Sequence, residues 1–185
     1  HRLHPVDSCL LFGEAPANSH PRPGLQVRLT LVESAVDTLE SALRAERAGA
    51  GRIELCASLN DAGITPSAGL ISAVTEGCGI PVFVLIRPRG GGFVYSDAEL
   101  EVMVRDVKTA RSLGAQGIVI GALDENGKIN LTATRDLVRA AEGLPVTFHR
   151  AFDLIANQTE GLEQLIDAGV ARVLTSGGAN TALDG

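Results

Sequence analysis

Outside its first 24 residues the sequence carries one histidine, His149, in TFHRAFD, beside Arg150 and four residues before Asp153. An imidazole with a carboxylate in reach can carry a proton, or serve as a soft-metal ligand. Glu54 stands two residues before Cys56 in RIELC, so on an extended chain Arg52, Glu54 and Cys56 share one face. A carboxylate taken out of water needs a partner, for which Arg52 or Arg87 is the right type; otherwise it is a candidate acid or base. The Cys56 thiol suits Cu(I) or zinc, although one Cys and one His fall short of a closed site. Arg87 and Arg89 flank Pro88 ahead of Gly90, Gly91 and Gly92. Planar guanidinium groups beside exposed backbone N–H groups suit a carboxylate or phosphate, and Phe93 and Tyr95 can cap such a pocket. Thr175, Ser176, Gly177 and Gly178 form a polar turn able to hold an oxyanion, but without a GxSxG elbow Ser176 is no nucleophile.

The candidate roles are therefore Glu54, His149 and Asp153 for catalysis; Arg87, Arg89, Arg150 and Ser176 for binding an anionic group; and Cys56 with His149 for a metal. Each has a plainer alternative. Glu54 and Arg87 can be rungs of an interior ion-pair ladder, and a lone histidine is often a hydrogen-bonded structural residue.

Residues so scattered need a scaffold that gathers them. Strands are expected at 26–32, 52–56, 81–87, 117–121, 145–149 and 171–175, separated by helices at 34–48, up to Gly77, from Ser96 or Asp97 to Leu113, at 131–142 and at 159–168. Strand starts recur about every 30 residues, the length of one βα unit. The stretches AGAGRIELC, LGAQGIVIG and AGVARVLTS repeat a helix-stop glycine followed by a short apolar strand, which favours a pseudo-symmetric barrel over an open doubly wound sheet. The fold expected is an α/β, TIM-like β/α barrel, incomplete, with about six parallel strands spanning residues 25–185. Helices must cover the outer face, so Ile53 and Leu55 point outward and the polar set inward. Glu33, Glu54, Cys56, Arg87, Arg89, His149, Arg150, Asp153, Thr175 and Ser176 then fall at strand ends, where such folds put their sites.

Composition removes several functions. With a net charge of −6, general binding to nucleic acid or an anionic membrane has no electrostatic motive. No apolar run approaches the roughly 20 residues of a membrane helix. Cys9, Cys56 and Cys78 are odd in number and widely spaced, which fits a reducing compartment and a cytoplasmic protein. Residues 1–24, holding His1, His4 and His20, read as a poorly ordered extension. No GxGxxG, P-loop or HExxH occurs, and no lysine ends a strand, against a Schiff-base aldolase.

The stretches RIELCASL (52–59), GITPSAGL (63–70), IPVFVLIRPRGG (80–91), FVYSDAE (93–99), LPVTFHRAFD (144–153) and RVLTSGG (172–178) together resemble the CutC family of copper-homeostasis proteins. The resemblance implies a cytoplasmic TIM-like barrel, often oligomeric, associated with Cu(I) handling but with no assigned reaction, and it places Cys56 at the family's second-strand cysteine. It also implies a first-strand cysteine that RLTLVES (28–34) lacks, an acidic residue where Gly92 stands, and two further β/α units beyond LDG. The function expected is intracellular copper binding at a barrel-mouth cysteine; the alternative is a metal-independent enzyme or small-anion binder using the polar mouth. A homo-oligomer is the expected assembly.

Overall fold

A computed structural model describes residues 30–185; the expected extension over 1–24 lies outside the described residues. From Leu31 to Gly185 the chain forms one compact unit. Its strands are β1 (Glu33–Val36), β2 (Arg52–Leu55), β3 (Val82–Leu85), β4 (Gly117–Ile120), β5 (Val146–Phe148) and β6 (Arg172–Val173). Between them run the helices α1 (Leu39–Arg47), α2 (Ala68–Gly77), α3 (Asp97–Ser112), α4 (Leu131–Ala140) and α5 (Gln158–Asp167). All five strand pairings are parallel, in the order β1-β2-β3-β4-β5-β6, and the sheet curls into an open half-barrel, an incomplete TIM-like barrel.

Most expected elements are present with shorter ends, but the first unit is displaced. Residues 30–32 are not strand; β1 is ESAV, and α1 begins at Leu39 rather than Ser34. The reason is a capping box: the Thr38 hydroxyl accepts from the Ser41 N–H, and the Ser41 hydroxyl accepts from the Thr38 N–H. That pair fixes the helix start more firmly than the helix propensity of the preceding residues. Glu33 consequently opens β1 instead of following it, paired in register with Arg52 and bonded to its guanidinium at the end of the sheet opposite the mouth.

Two apolar layers confirm the facing. Ile53, Leu55, Val82, Val84, Ile118, Ile120 and Phe148 pack with Ile71, Val74, Met103, Val107 and Leu137 from the helices, each fully buried Ile or Leu contributing roughly 1.5–3 kcal/mol. A separate cluster, Cys56, Phe83, Leu85 and Val119, fills the concave side. There the Phe83 ring lies between the guanidinium groups of Arg52 and Arg172, 4.7 and 4.4 Å from its centroid. Gly117 leaves the space for that ring, since a Cβ at Gly117 would overlap it.

Candidate functional site at the half-barrel mouth

The ends of β2, β3, β5 and β6 enclose a cavity of about 290 Å³ lined by Glu54, Arg87, Phe93, His149, Arg150 and Leu174, among others. Glu54, Arg87, His149 and Arg150 were legible from sequence as strand-end residues, and Phe93 as a cap.

Arg87 follows β3 and is only 4% exposed. Its backbone is clasped by Thr65, whose N–H donates to the Arg87 carbonyl and whose hydroxyl accepts the Arg87 N–H. Its Nη1 donates to the carbonyls of Asp61 (2.8 Å) and Gly63 (2.7 Å), and Nη2 to that of Gly91 (2.7 Å). The guanidinium also lies beside the Tyr95 hydroxyl, and its Nε is buried without an acceptor. A buried charged donor without a partner is costly, so its occurrence on a residue that lines an open cavity is informative.

His149 ends β5 and is 7% exposed. Its N–H donates to the Ile120 carbonyl at 2.7 Å, and its Nδ1 accepts the Ala151 N–H at 3.1 Å. With Nδ1 an acceptor, the neutral ring carries its proton on Nε2, and Nε2 is buried without a partner. Burial, reinforced by the Arg87 charge, pushes the pKa down to about 3, so the imidazole is neutral at physiological pH. Gly121 makes this placement possible, because a Cβ there would overlap the imidazole. Phe93 bridges the two donors, its ring 4.8 Å from that of His149 and 5.0 Å from the Arg87 guanidinium.

Glu54 completes the cavity from β2. Burial, then the nearby Glu33 charge, raises its pKa to about 7 against the opposing pull of Arg52. It therefore exchanges a proton near neutrality, as a general acid or base must.

The remaining candidates are placed elsewhere or otherwise engaged. Arg89 points to the surface, bonded to Glu99 and to the Gly92 and Val94 carbonyls, with Tyr95 beneath it at 5.1 Å. Asp153 receives the Thr175 hydroxyl, the Ser176 and Gly178 N–H groups and Arg150 Nε. Burial alone would raise its pKa, but these donors hold it well below the usual carboxylate range. Arg150 also donates to the Ser176 hydroxyl, so Arg150, Asp153 and Ser176 form one knot tying the loops after β5 and β6, with Arg150 reaching the cavity. Sequence reasoning missed the acceptors that engage Arg87, which are main-chain carbonyls with no side-chain signature. It also missed Gly121 as a space-maker; its signal was a glycine on the inward face of an apolar strand.

The donor set expected for Cu(I) does not fit. His149 lines the cavity, whereas Cys56 lies in the inner cluster, its thiol donating to the Val36 carbonyl at 3.5 Å. Burial, with Glu54 and Asp37 nearby, pushes that thiol up to about 11, opposing the thiolate a metal requires. Among the described residues no group of three or more His, Cys, Asp or Glu side chains is arranged to hold a metal. β1 contains no cysteine.

A model of the CutC family matches residues 30–185. A copper homeostasis protein cutC homolog of Mus musculus is 52% identical over 155 residues, 84% of this chain and 57% of the relative. A family protein CutC of Histophilus somni is 51% identical over 154 residues, 83% of this chain and 63% of that one. The chain thus spans about three-fifths of the length of these curated relatives. Among solved structures, a copper homeostasis protein CutC of Streptococcus agalactiae superposes with a TM-score of 0.77 at 38% identity, covering 82% of this chain and 75% of that one. Phosphonopyruvate hydrolase in complex with oxalate and Mg superposes with a TM-score of 0.55 at 18% identity, covering 78% and 57%. A 2,3-dimethylmalate lyase of the PEP mutase/isocitrate lyase superfamily gives 0.54 at 16%, over 78% and 56%. At such identities the likeness is one of fold.

Proposed function

The chain belongs to the CutC family, and on that premise we propose that its half-barrel mouth binds a small anion, without a metal, through Arg87 and His149. The observation that carries this reading is a pair of buried, unpartnered N–H donors, Arg87 Nε and His149 Nε2, on two residues that line one cavity. An oxyanion between them would supply both missing acceptors, and a charge-assisted bond to Arg87 is the stronger of the two. The main-chain carbonyls that hold Arg87 keep its orientation fixed before any ligand arrives, so little side-chain entropy is lost on binding. Arg150 adds a second positive group at the rim.

Titration calorimetry with inorganic phosphate, oxalate and pyruvate tests the reading. At least one of the three should bind saturably, and His149→Phe, which keeps an aromatic ring but removes the donor, should weaken it about 10-fold, the loss of one buried hydrogen bond. Absence of saturable binding by all three, or affinity unchanged in both His149→Phe and Arg87→Lys, would overturn it.

Copper handling is the second reading, supported by the names of the mouse and human relatives. It has to overcome the neutral Cys56 thiol. In an anaerobic Cu(I) titration run beside the anion series, saturable binding abolished by Cys56→Ser would favour it; binding indifferent to that change would remove Cys56 from the site. Cytoplasm remains the compartment we propose, supported by the free thiols of Cys56 and Cys78. No helix among the described residues is long and apolar enough to cross a membrane.

A further inference from the structure

We infer that the anion taken by this cavity is a small 2-oxo acid, and that the chain interconverts its keto and enol forms, with Glu54 moving the proton and His149 and Arg87 holding the oxygen. The inference rests on the anion-binding reading of the same site and goes beyond it in assigning a ligand class and a reaction.

Three features of the cavity select this chemistry. First, a carboxylate facing an anion site is a poor feature for holding phosphate or sulfate, since it repels a dianion. It is a useful one if its task is to take a proton from carbon. Among the described residues that line the cavity, Glu54 is the only carboxylate and none is a lysine, so there neither a Schiff base nor a second carboxylate competes for the role. Second, His149 presents an N–H from a neutral ring, fixed in that tautomer by the Ala151 N–H. Such a donor cannot readily protonate a ligand but can stabilise charge that develops on a carbonyl oxygen; a carboxylate base paired with a neutral histidine is a known arrangement for enolisation in other enzymes. Third, the other walls, Ala62, Leu85, Phe93 and Leu174, are apolar. They suit a short carbon skeleton, and Phe93, lying against both donors, suits a flat one.

The step balances without a further reactant. The Glu54 carboxylate removes a hydrogen as a proton from the carbon next to the carbonyl. The C–H electron pair becomes the new carbon–carbon π bond, and the carbonyl π pair moves to oxygen, where His149 Nε2–H and Arg87 Nε–H meet it. Protonated Glu54 exchanges with solvent and returns a proton to carbon.

In D2O the chain should therefore replace hydrogens at C3 of pyruvate and 2-oxobutyrate by deuterium faster than buffer alone, read by proton NMR as loss of the C3 signal. Removing a general base lowers such a rate by about 10²–10⁴-fold, so Glu54→Gln should bring exchange close to background while ligand-observed NMR still shows binding. Glu54→Asp, which keeps a carboxylate one methylene further away, should retain part of the rate, and circular dichroism establishes that each variant is folded. Pyruvate binding without exchange above buffer would overturn the inference and leave anion binding standing. No pyruvate binding while phosphate or oxalate binds would overturn the ligand class alone, and no binding of any of the three would overturn both readings. Exchange that survives Glu54→Gln in a folded protein would remove Glu54 from the reaction.

Discussion

Two side chains at the mouth titrate away from their ordinary values, and each makes stability depend on pH. Glu54 titrates near 7 in the folded chain, above its ordinary 4.5. The folded state therefore keeps its proton longer than the unfolded state, so the stabilising contribution is complete below about 4.5 and is lost as pH rises through 7. His149 titrates near 3, below its ordinary 6.5. Its contribution is present above 6.5 and is lost as pH falls towards 3. The slopes oppose each other between about 4.5 and 6.5. Urea denaturation across pH should show stability rising more steeply with pH between 5 and 7 in Glu54→Gln than in the unmodified chain, and His149→Phe removing part of the acid decline, each change in slope being at most about 1.4 kcal/mol per pH unit. A slope between pH 5 and 7 unchanged in Glu54→Gln would mean that Glu54 does not titrate there. The types of these residues were legible in the sequence, as were their positions at strand ends. Their states were not, because desolvation depends on what covers a group, and Leu85, Phe93 and Leu174 arrive from other strands and loops. Arg89 shows the converse: its sequence neighbourhood matches that of Arg87, yet it lies in the bend that follows rather than at the strand end, and Glu99 at the start of α3 captures it.

At the level of elements, β4 makes room for its neighbours. Gly117 faces Phe83 on β3, and Gly121 faces His149 at the end of β5. Adding one methyl at either place forces an aromatic ring out of a packed position, costing about 1–3 kcal/mol. The two variants should differ in what else they lose. Gly117→Ala should lower the unfolding midpoint while leaving anion affinity within about 2-fold, because Phe83 lies below the mouth. Gly121→Ala should lower affinity as well, by displacing His149; retained affinity in calorimetry would show that the imidazole is not a ligand-binding group. Strand existence, order of appearance and inward facing followed from period and repeat, since a buried sheet imposes both. The first unit did not, because a Thr38–Ser41 capping pair outweighed the propensity of residues 34–38, and a four-residue error moved Glu33 from one end of the sheet to the other.

For the molecule as a whole, the open sheet leaves both β1 and β6 with one unpaired side among the described residues. Exposed Leu31, Val32 and Leu174 lie next to these edges. Unpaired strand edges with apolar neighbours favour pairing between copies. This chain should therefore associate as its concentration rises, with sedimentation velocity showing species larger than the monomer; a single monomeric species at all concentrations would mean that the edges are protected. The parallel sheet was legible from sequence because its spacing allows little else, and its incompleteness from the expectation of about six strands. A different consequence follows from each strand lying beside its immediate predecessor. No strand has to wait for a partner made much later, so during synthesis each new βα unit meets a finished template as it leaves the ribosome. The polar mouth is then assembled progressively, Arg87 being in place before His149, and Arg150 acquiring its partner Ser176 only when the loop after β6 has emerged.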